Sequence, residues 1–433
     1  MSFTSAGSAP PVNPAPAPRW SDVYISALAR AASMCGDMLA ATALALILQA
    51  RGEGGLAVAG IMLAAALPLT VAGPFAGRIA DRVDSRTLLV TTGLAQAGVC
   101  VVLAFARQPG VIIGLVAVLS CGLAVTSPTL AALTPMMVGR ENLGRASGIS
   151  QTALTTGMLA APALGGLLVG AFGSRPPLLI DAATYLAIPL AGLLIQTRRG
   201  GRYRAGAAAQ TATSSGGRPV FRLRSDALLW PLLIMVGAVI GAISAVDVVD
   251  VFFVRDTLHS SAAAYGIIGA VWLGGMIIGA QIWSRQHNGD LGNARAMLVA
   301  STATSVVMAA AGLVPAIGWL LPAWLIGGAL NGAENVQIGV LLGSRVRPEV
   351  RGQAGAAFNS IASGANAIGF LLGGALLTIA SPRILIVGCG LAGLAAVGLF
   401  SPPLLRAIRR ERHSAAASAP ALMPEDASPG LPA

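Results

Sequence analysis

Twelve stretches of this chain, 22–49, 56–78, 86–106, 110–137, 145–171, 176–196, 228–254, 262–284, 294–315, 317–342, 353–379 and 383–404, are each apolar over the length a helix needs to cross a bilayer. That length is about 20 residues for about 30 Å of hydrocarbon. A water-soluble fold would have to cover all of them with polar surface. Only 10% of the residues are charged and the mean hydropathy is +0.75, so that surface does not exist. Inside lipid every backbone N–H and C=O must be satisfied within the protein, and runs of this length satisfy them as helices. The expectation is an all-α membrane protein with twelve transmembrane helices.

The arginines test the count, because loops on the cytoplasmic side collect basic residues. All 28 basic residues are arginine, and with the N-terminus inside, 22 of them fall in inside segments. Five, Arg51, Arg107, Arg175, Arg255 and Arg383, stand one each at the outside loops, and only Arg30 lies in the interior of a span rather than at its edge. This bias predicts both termini in the cytoplasm. The net charge of +11 is scattered between apolar runs rather than striped along one face, which argues against a nucleic-acid partner and for a lipid bilayer. Arginine without lysine, with heavy Ala and Gly use, points to a high-GC bacterial genome and hence to a bacterial inner membrane.

Residues 1–21 are rich in Pro, Ala and Ser, without the basic start and apolar centre of a signal peptide, and read as a disordered cytoplasmic tail, as do residues 405–433. Residues 197–227, rich in Arg, Gly, Ser and Thr, read as a cytoplasmic linker between six-helix bundles at 22–196 and 228–404. A shift of 208 residues supports a parallel repeat. It lays Glu141 on Glu349, Gly144 on Gly352, Ala146 on Ala354, Gly165 on Gly373 and Gly166 on Gly374. Similarly, "GPFAG" (73–77) parallels "GMIIG" (275–279). Two six-helix halves repeated in parallel, with a site between them, is a transporter architecture. Cys35, Cys100, Cys121 and Cys389 stand singly in apolar stretches and read as packing residues.

Between the second and third runs, "GRIADRVDSR" (77–86) resembles the loop motif G-x-x-x-D-R-x-G-R-R of the major facilitator superfamily. Asp84 and Ser85 depart from that pattern, where Gly and a base are usual. The resemblance implies a cytoplasmic gate formed by Gly77, Asp81, Arg82 and Arg86, whose charges latch one state of a rocking transporter; the plainer alternative is that the arginines only set topology. In the fifth run, "GMLAAPALGG" (157–166) resembles the antiporter motif G-x-x-x-G-P-x-x-G-G at Gly157, Pro162, Gly165 and Gly166, with Ala161 in place of its second glycine. In that superfamily the motif marks exporters. Gly36-Asp37, "PALGGLL", "LIDAATYL" (179–186) and "RGQ" (351–353) look like the branch holding the enterobactin exporter and macrolide-efflux-like proteins. The implied activity is export of a small organic molecule by alternating access with proton antiport, without a cofactor and as a monomer. The fourth run lacks the arginine that many proton antiporters of the superfamily carry near its start.

Charge inside a bilayer is costly, so each such residue calls for a reason. Asp37, in the middle of the first run, is the first candidate for a proton site. Arg30, seven residues earlier on the same face, is either its loose partner or its fixed neutraliser. Asp247 and Asp250 share a face of the seventh run and either attract a cation or load a proton, unless with Arg255 and Asp256 they form only a solvated mouth. Asn331, Glu334 and Asn335 share a face of the tenth run, as a proton or substrate site or as the partner of an arginine from another helix. Asp181 reads as a helix start signal. With no lysine and no G-x-x-x-x-G-K-[ST], a Walker-type ATPase or a Schiff-base enzyme is excluded. His259, His287 and His413 form no ligand set. A nutrient importer would need a denser polar lining, and a membrane enzyme or sensor would need clustered catalytic residues or a soluble domain.

Overall fold

A computed structural model describes residues 18–139, 141–199, 226–286, 289–348 and 350–417. The chain is helical throughout these residues, with no strand among them. The first five runs become α1 (Trp20–Ala50), α2 (Gly55–Arg82), α3 (Ser85–Phe105), α4 (Pro109–Val138) and α5 (Leu143–Phe172). The sixth splits into α6 (Arg175–Tyr185) and α7 (Ala187–Leu194). The seventh splits into α8 (Leu229–Ile243) and α9 (Val246–Phe252), followed by a π-helical turn, Phe253–Thr257. The last five are α10 (Ala262–Ser284), α11 (Gly289–Ala311), α12 (Ile317–Arg345), α13 (Arg351–Leu376) and α14 (Pro382–Ala417).

Ten of these rods, counting each split pair as one, are long and apolar enough to cross a membrane by composition. The other two are α12 and α13. They carry the polar residues Asn331, Glu334, Asn335, Gln337, Asn359 and Asn366, and most of these face the interior rather than lipid. The outward surface is apolar: Ile379, Leu399 and Trp319 are 80%, 71% and 68% exposed, a cost in water and none in hydrocarbon. Many hydroxyls within the rods are satisfied by their own helix, as where Thr42 donates to Met38 O and Ser120 to Val116 O.

Both interruptions have local causes. Pro189 has no N–H for the Tyr185 carbonyl, so the ladder breaks at Leu186, whose N–H turns back to Ala183 O. At the other break the Ser244 hydroxyl reaches Ile240 O at 2.6 Å and Asn366 Oδ1 of α13 at 2.5 Å, while Asp247 N bonds Ser244 O. A side chain competing for the ladder tightens the turn and starts α9 at Val246. A further difference lies at the end of the chain, where α14 runs on to Ala417 although a disordered tail was expected from 405. Glu411 lies on that extension and holds it by binding Arg345. The rest of the expected tails and most of the linker, residues 1–17, 200–225 and 418–433, lie outside the described residues, as does Glu349.

The repeat is visible in the packing. α5 and α13 begin at Leu143 and Arg351, in the register that the 208-residue shift requires. In the first half, a Cβ added to Gly157 or Gly165 would lie 2.4 Å from Ala31 O or 3.1 Å from Leu39 O of α1. In the second half, one on Gly369 or Gly373 would lie 2.6 Å from Gly241 O or 2.7 Å from Ala245 O. The following glycines cross between halves: Gly166 faces Ala262 O and Gly266 of α10, and Gly374 faces Gly55 O of α2. These crossings lie toward the end of the molecule opposite the chain termini, where Gln49 Nε2 also donates to Asp256 Oδ1 at 2.6 Å. We call this the far end.

At the near end, which carries the termini, each half ties itself together. Asp22 accepts from Thr197 N and Oγ1, and Ser85 N donates to Arg199 O. In the other half Arg345 binds Asp226 at 3.2 Å, Asp290 at 3.1 Å, and Glu411. Asp226 also accepts from the N–H groups of Leu228 and Leu229 at the start of α8. One guanidinium thus joins four elements, and Arg345→Ala would leave three carboxylates facing one another. We expect a loss of about 1–3 kcal/mol, read as a lower thermal-unfolding midpoint of the purified protein, with Arg347→Ala as a control.

Candidate functional site

Among the described residues, two cavities between spans bear on the site, one in each half. The larger, about 500 Å³, is lined by α8 to α13. It brings together Asp247 and Asp250 of α9 with Asn331, Glu334 and Asn335 of α12, five residues proposed on separate grounds from two distant segments. The break at Ser244 sets the first turn of α9 against this space. Asp247 is exposed within it, and Asp250 is half-buried with Oδ1 lacking a partner. Glu334 is buried and accepts from Ser301 Oγ at 2.8 Å, so no arginine neutralises it. Asn335 Nδ2 donates to Asn331 O at 3.0 Å, which fixes the amide on the cavity wall.

The alternative of a solvated mouth places Asp247 and Asp250 together with Arg255 and Asp256, and the structure separates the two pairs. Arg255 and Asp256 do form a far-end contact, with Arg255 Nη1 on Ser260 O and Asp256 on Gln49. Asp247 and Asp250 face the cavity instead, because the break and the π-helical turn change the facing of residues between them. The opposite wall is aromatic. Trp272 of α10 and Trp324 of α12 meet edge to face, with centroids 6.4 Å apart and planes at 65°, and Phe358 of α13 lies nearby. No arginine or histidine is among the lining residues. Three carboxylates beside tryptophan faces suit a cation with an apolar body. The tryptophans and Asn366 were not singled out from the sequence, where nothing distinguishes them from packing residues.

The smaller cavity, about 180 Å³, lies in the first half and is lined by Arg30, Ser33, Asp37, Thr126 and Ser127 among apolar neighbours. Arg30 and Asp37 both face it, as their spacing predicted, yet among the described residues they form no ion pair. Asp37 Oδ1 accepts instead from Tyr185 Oη at 2.5 Å, and its Oδ2 is buried without a partner. Asp181 is not a helix start signal: it lies in the interior of α6, 1% exposed, and accepts from Cys100 Sγ at 3.2 Å. The sixth span starts within one residue of its expected place, but Asp181 lies about one and a half turns inside it, beyond the first turn where a carboxylate acts as a start signal.

Arg82 is exposed and Arg86 half-buried, neither with an ion pair among the described residues. Gly77 and Asp81 lie in α2, and the Asp81 side chain is outside the described residues. Of the α5 motif, Ala161, Pro162, Gly165 and Gly166 are buried, with Gly157 against α1.

Known proteins are similar to parts of this chain. One multidrug resistance protein, MdtG of Proteus mirabilis, is 33% identical over 113 residues, 26% of this chain and 28% of its own length. MdtG of Serratia proteamaculans is 28% identical over 205 residues, 46% of this chain and 48% of its own. Macrolide efflux protein A of Enterococcus faecalis is 26% identical over 148 residues, 33% of this chain and 46% of its own. The chain thus aligns with less than half the length of each. Among solved structures, the nucleoside transporter NupG (D323A mutant) superposes with a TM-score of 0.71 at 14% identity, covering 88% of this chain and 99% of that one. A bacterial homologue of the human lysosomal transporter Spinster, inward-facing and unoccupied, gives 0.65 at 15%, covering 91% and 97%. Both likenesses concern the fold. The sequence pattern of the Major Facilitator Superfamily matches residues 26–285, and with twelve helical rods in two repeated halves the chain belongs to that superfamily of membrane transporters.

Proposed function

We propose that this transporter exports amphipathic, cationic small organic molecules from a bacterial cell by alternating access, driven by inward proton flow. The observation that carries the reading is the cavity of the second half, where Asp247, Asp250 and Glu334 face Trp272 and Trp324 with no basic residue in the lining. A drug or secondary metabolite with an ammonium group and an apolar body would exchange water for carboxylates and ring faces there. A neutral siderophore would leave the carboxylates unused. The α5 glycines and the likeness to multidrug and macrolide efflux proteins support the outward direction.

In this reading the near end is cytoplasmic and both termini lie inside, following the arginine bias. The far-end contacts then close the outside, and cargo enters the cavity from the cytoplasm. Gly77, Asp81, Arg82 and Arg86 would latch the cytoplasmic side in the opposite state. One chain supplies both halves and both cavities, so the monomer is the working unit. Asp37 carries the proton, away from the cargo, and its protonation state biases the two states.

The test is efflux of a lipophilic cationic dye from cells expressing the protein, before and after collapse of the proton gradient. Efflux that stops on collapse is expected, and efflux that continues would overturn proton coupling. Asp37→Asn is expected to leave the protein folded and inserted while reducing uphill efflux by at least about 100-fold, as loss of an essential proton carrier does. Normal uphill efflux by that variant would remove Asp37 from the role.

A further inference from the structure

Asp37 has a second carboxylate beside it that the proposed cycle has not used. A Cβ added to Gly36 would lie 2.3 Å from Asp181 Oδ1 and 2.0 Å from Thr184 Oγ1. Asp181 is therefore pressed against the α1 backbone at the residue preceding Asp37, and only glycine leaves room for it. Four residues on, one turn along α6, Tyr185 donates to Asp37 Oδ1. The break that Pro189 causes directly after Tyr185 ends α6 there and leaves that side chain at its last turn.

The surroundings offer these two acids little compensation. Asp181 accepts only from neutral groups, Cys100 Sγ at 3.2 Å and Thr184 Oγ1 at 3.4 Å. Asp37 keeps one buried oxygen without a partner. The titratable groups facing the pair are Arg30 and Cys35 of α1, Cys100 of α3 and Tyr185 of α6, while α2, α4 and α5 present only Leu69, Thr126, Ser127, Leu154 and similar uncharged groups. Arg30 faces the small cavity without an ion pair. Two like charges in a largely buried place make ionising both costly, so the pair holds one proton tightly.

The geometry points to Asp37, Tyr185 and Asp181 as one proton-binding site, in which the two carboxyl groups share a single proton and Asp181 sets the affinity of Asp37 for it. On loading, a hydronium ion in the small cavity gives one proton to Asp37 while Asp181 stays charged. On release, the same proton leaves Asp37, and the Tyr185 hydroxyl, donating to Oδ1, steadies the charge left behind. The pair gains or loses one proton in a cycle, and no other bond changes. Asp181 is a positioning residue, since it does not line the cavity from which the proton comes. Its place in transport rests on the proton-coupled reading above, but its measurement does not.

Dicyclohexylcarbodiimide modifies buried carboxyl groups only when they are protonated, and peptide mass spectrometry locates the adduct. With the purified full-length protein, labelling of Asp37 is measured against pH in the wild type, Asp181→Asn and Tyr185→Phe, alongside thermal unfolding. Asp181→Asn removes the competing charge and is expected to move the pH of half-labelling of Asp37 down by about one unit or more. Tyr185→Phe removes a bond to the charged form and is expected to move it up. Where Asp181→Asn does not fold, Asp37→Asn gives the reciprocal reading, a downward shift in the labelling of Asp181. Unshifted profiles in folded variants, or no label on either acid at any pH, would overturn the shared site. Shifted profiles together with efflux that ignores the proton gradient would keep the site and discard its role in coupling.

Discussion

Gly332→Leu is expected to abolish folding of the second half, seen as loss of the monodisperse peak in detergent and of any cooperative thermal transition. The reason lies in the seam between α10 and α12. A Cβ on Gly275 or Gly279 would lie 2.2 Å from Leu325 O or 1.8 Å from Ala329 O, and one on Gly328 or Gly332 would lie 2.2 Å from Trp272 O or 2.0 Å from Met276 O. Two glycine pairs spaced four apart on facing helices thus let backbone meet backbone reciprocally. The obstructing atoms are main-chain carbonyls, which no rotamer change moves aside. Separating the helices would forfeit the dispersion contacts of the whole seam, since lipid gives helices no hydrophobic drive to associate. A cost of about 3 kcal/mol or more, the upper range for overpacking, is expected. The seam also carries Trp272, so its loss would reach the large cavity. Gly339→Leu is the control: it is exposed on the same helix with nothing within 4 Å, and should leave the transition unchanged. A folded, normally stable Gly332→Leu protein would show that the seam is not tight.

The helices and their order were legible because lipid makes apolarity run for the full length of a span, about 20 residues, and each unsatisfied backbone group there costs several kcal/mol, which leaves no other solution. Equally legible were groups lying on one helix. Asp247 with Asp250, and Asn331 with Glu334 and Asn335, share faces fixed by the helical period, and both sets reach the same cavity. What the period cannot give is the partner across space. Asp181 and Asp37 are far apart in sequence, and the helical period of a single sequence does not pair α6 with α1. Two local signs did exist. Gly36 next to Asp37 allows a close neighbour, and Asp181 and Tyr185 stand one turn apart on a single face. The breaks were hidden because apolar composition continues through them. Pro189 was a visible cause in one, whereas Ser244 acts through Asn366 of a distant helix.

Gly166→Leu is expected to fold normally and yet to transport at least about tenfold more slowly, because the added side chain obstructs one state and not the halves themselves. A Cβ there would meet Ala262 O at 2.4 Å and the Gly266 backbone at 3.0 Å, while Gly266 in turn faces Pro162 O at 2.2 Å. Both faces belong to different halves, so the clash exists only while the far end is closed. If that closed state alone is raised by about 2 kcal/mol, its population falls about 30-fold, and a cycle that must pass through it slows accordingly. Spin labels at Glu53→Cys and His259→Cys, one in each half near the far end, on a background without the four native cysteines, should move to longer distances. Gly170→Ala, where the added carbon meets only Ala262 Cβ at 3.9 Å, should leave distances and transport as they are. Unchanged distances in folded Gly166→Leu would mean that the α5–α10 seam is not what closes the far end. Transport that survives a lasting shift to longer distances would mean that closure there is not a required step. In the proposed cycle the same glycine that looks like a packing device in one helix would act as the stop against which two halves rock, so that its smallness matters in only one of their two arrangements.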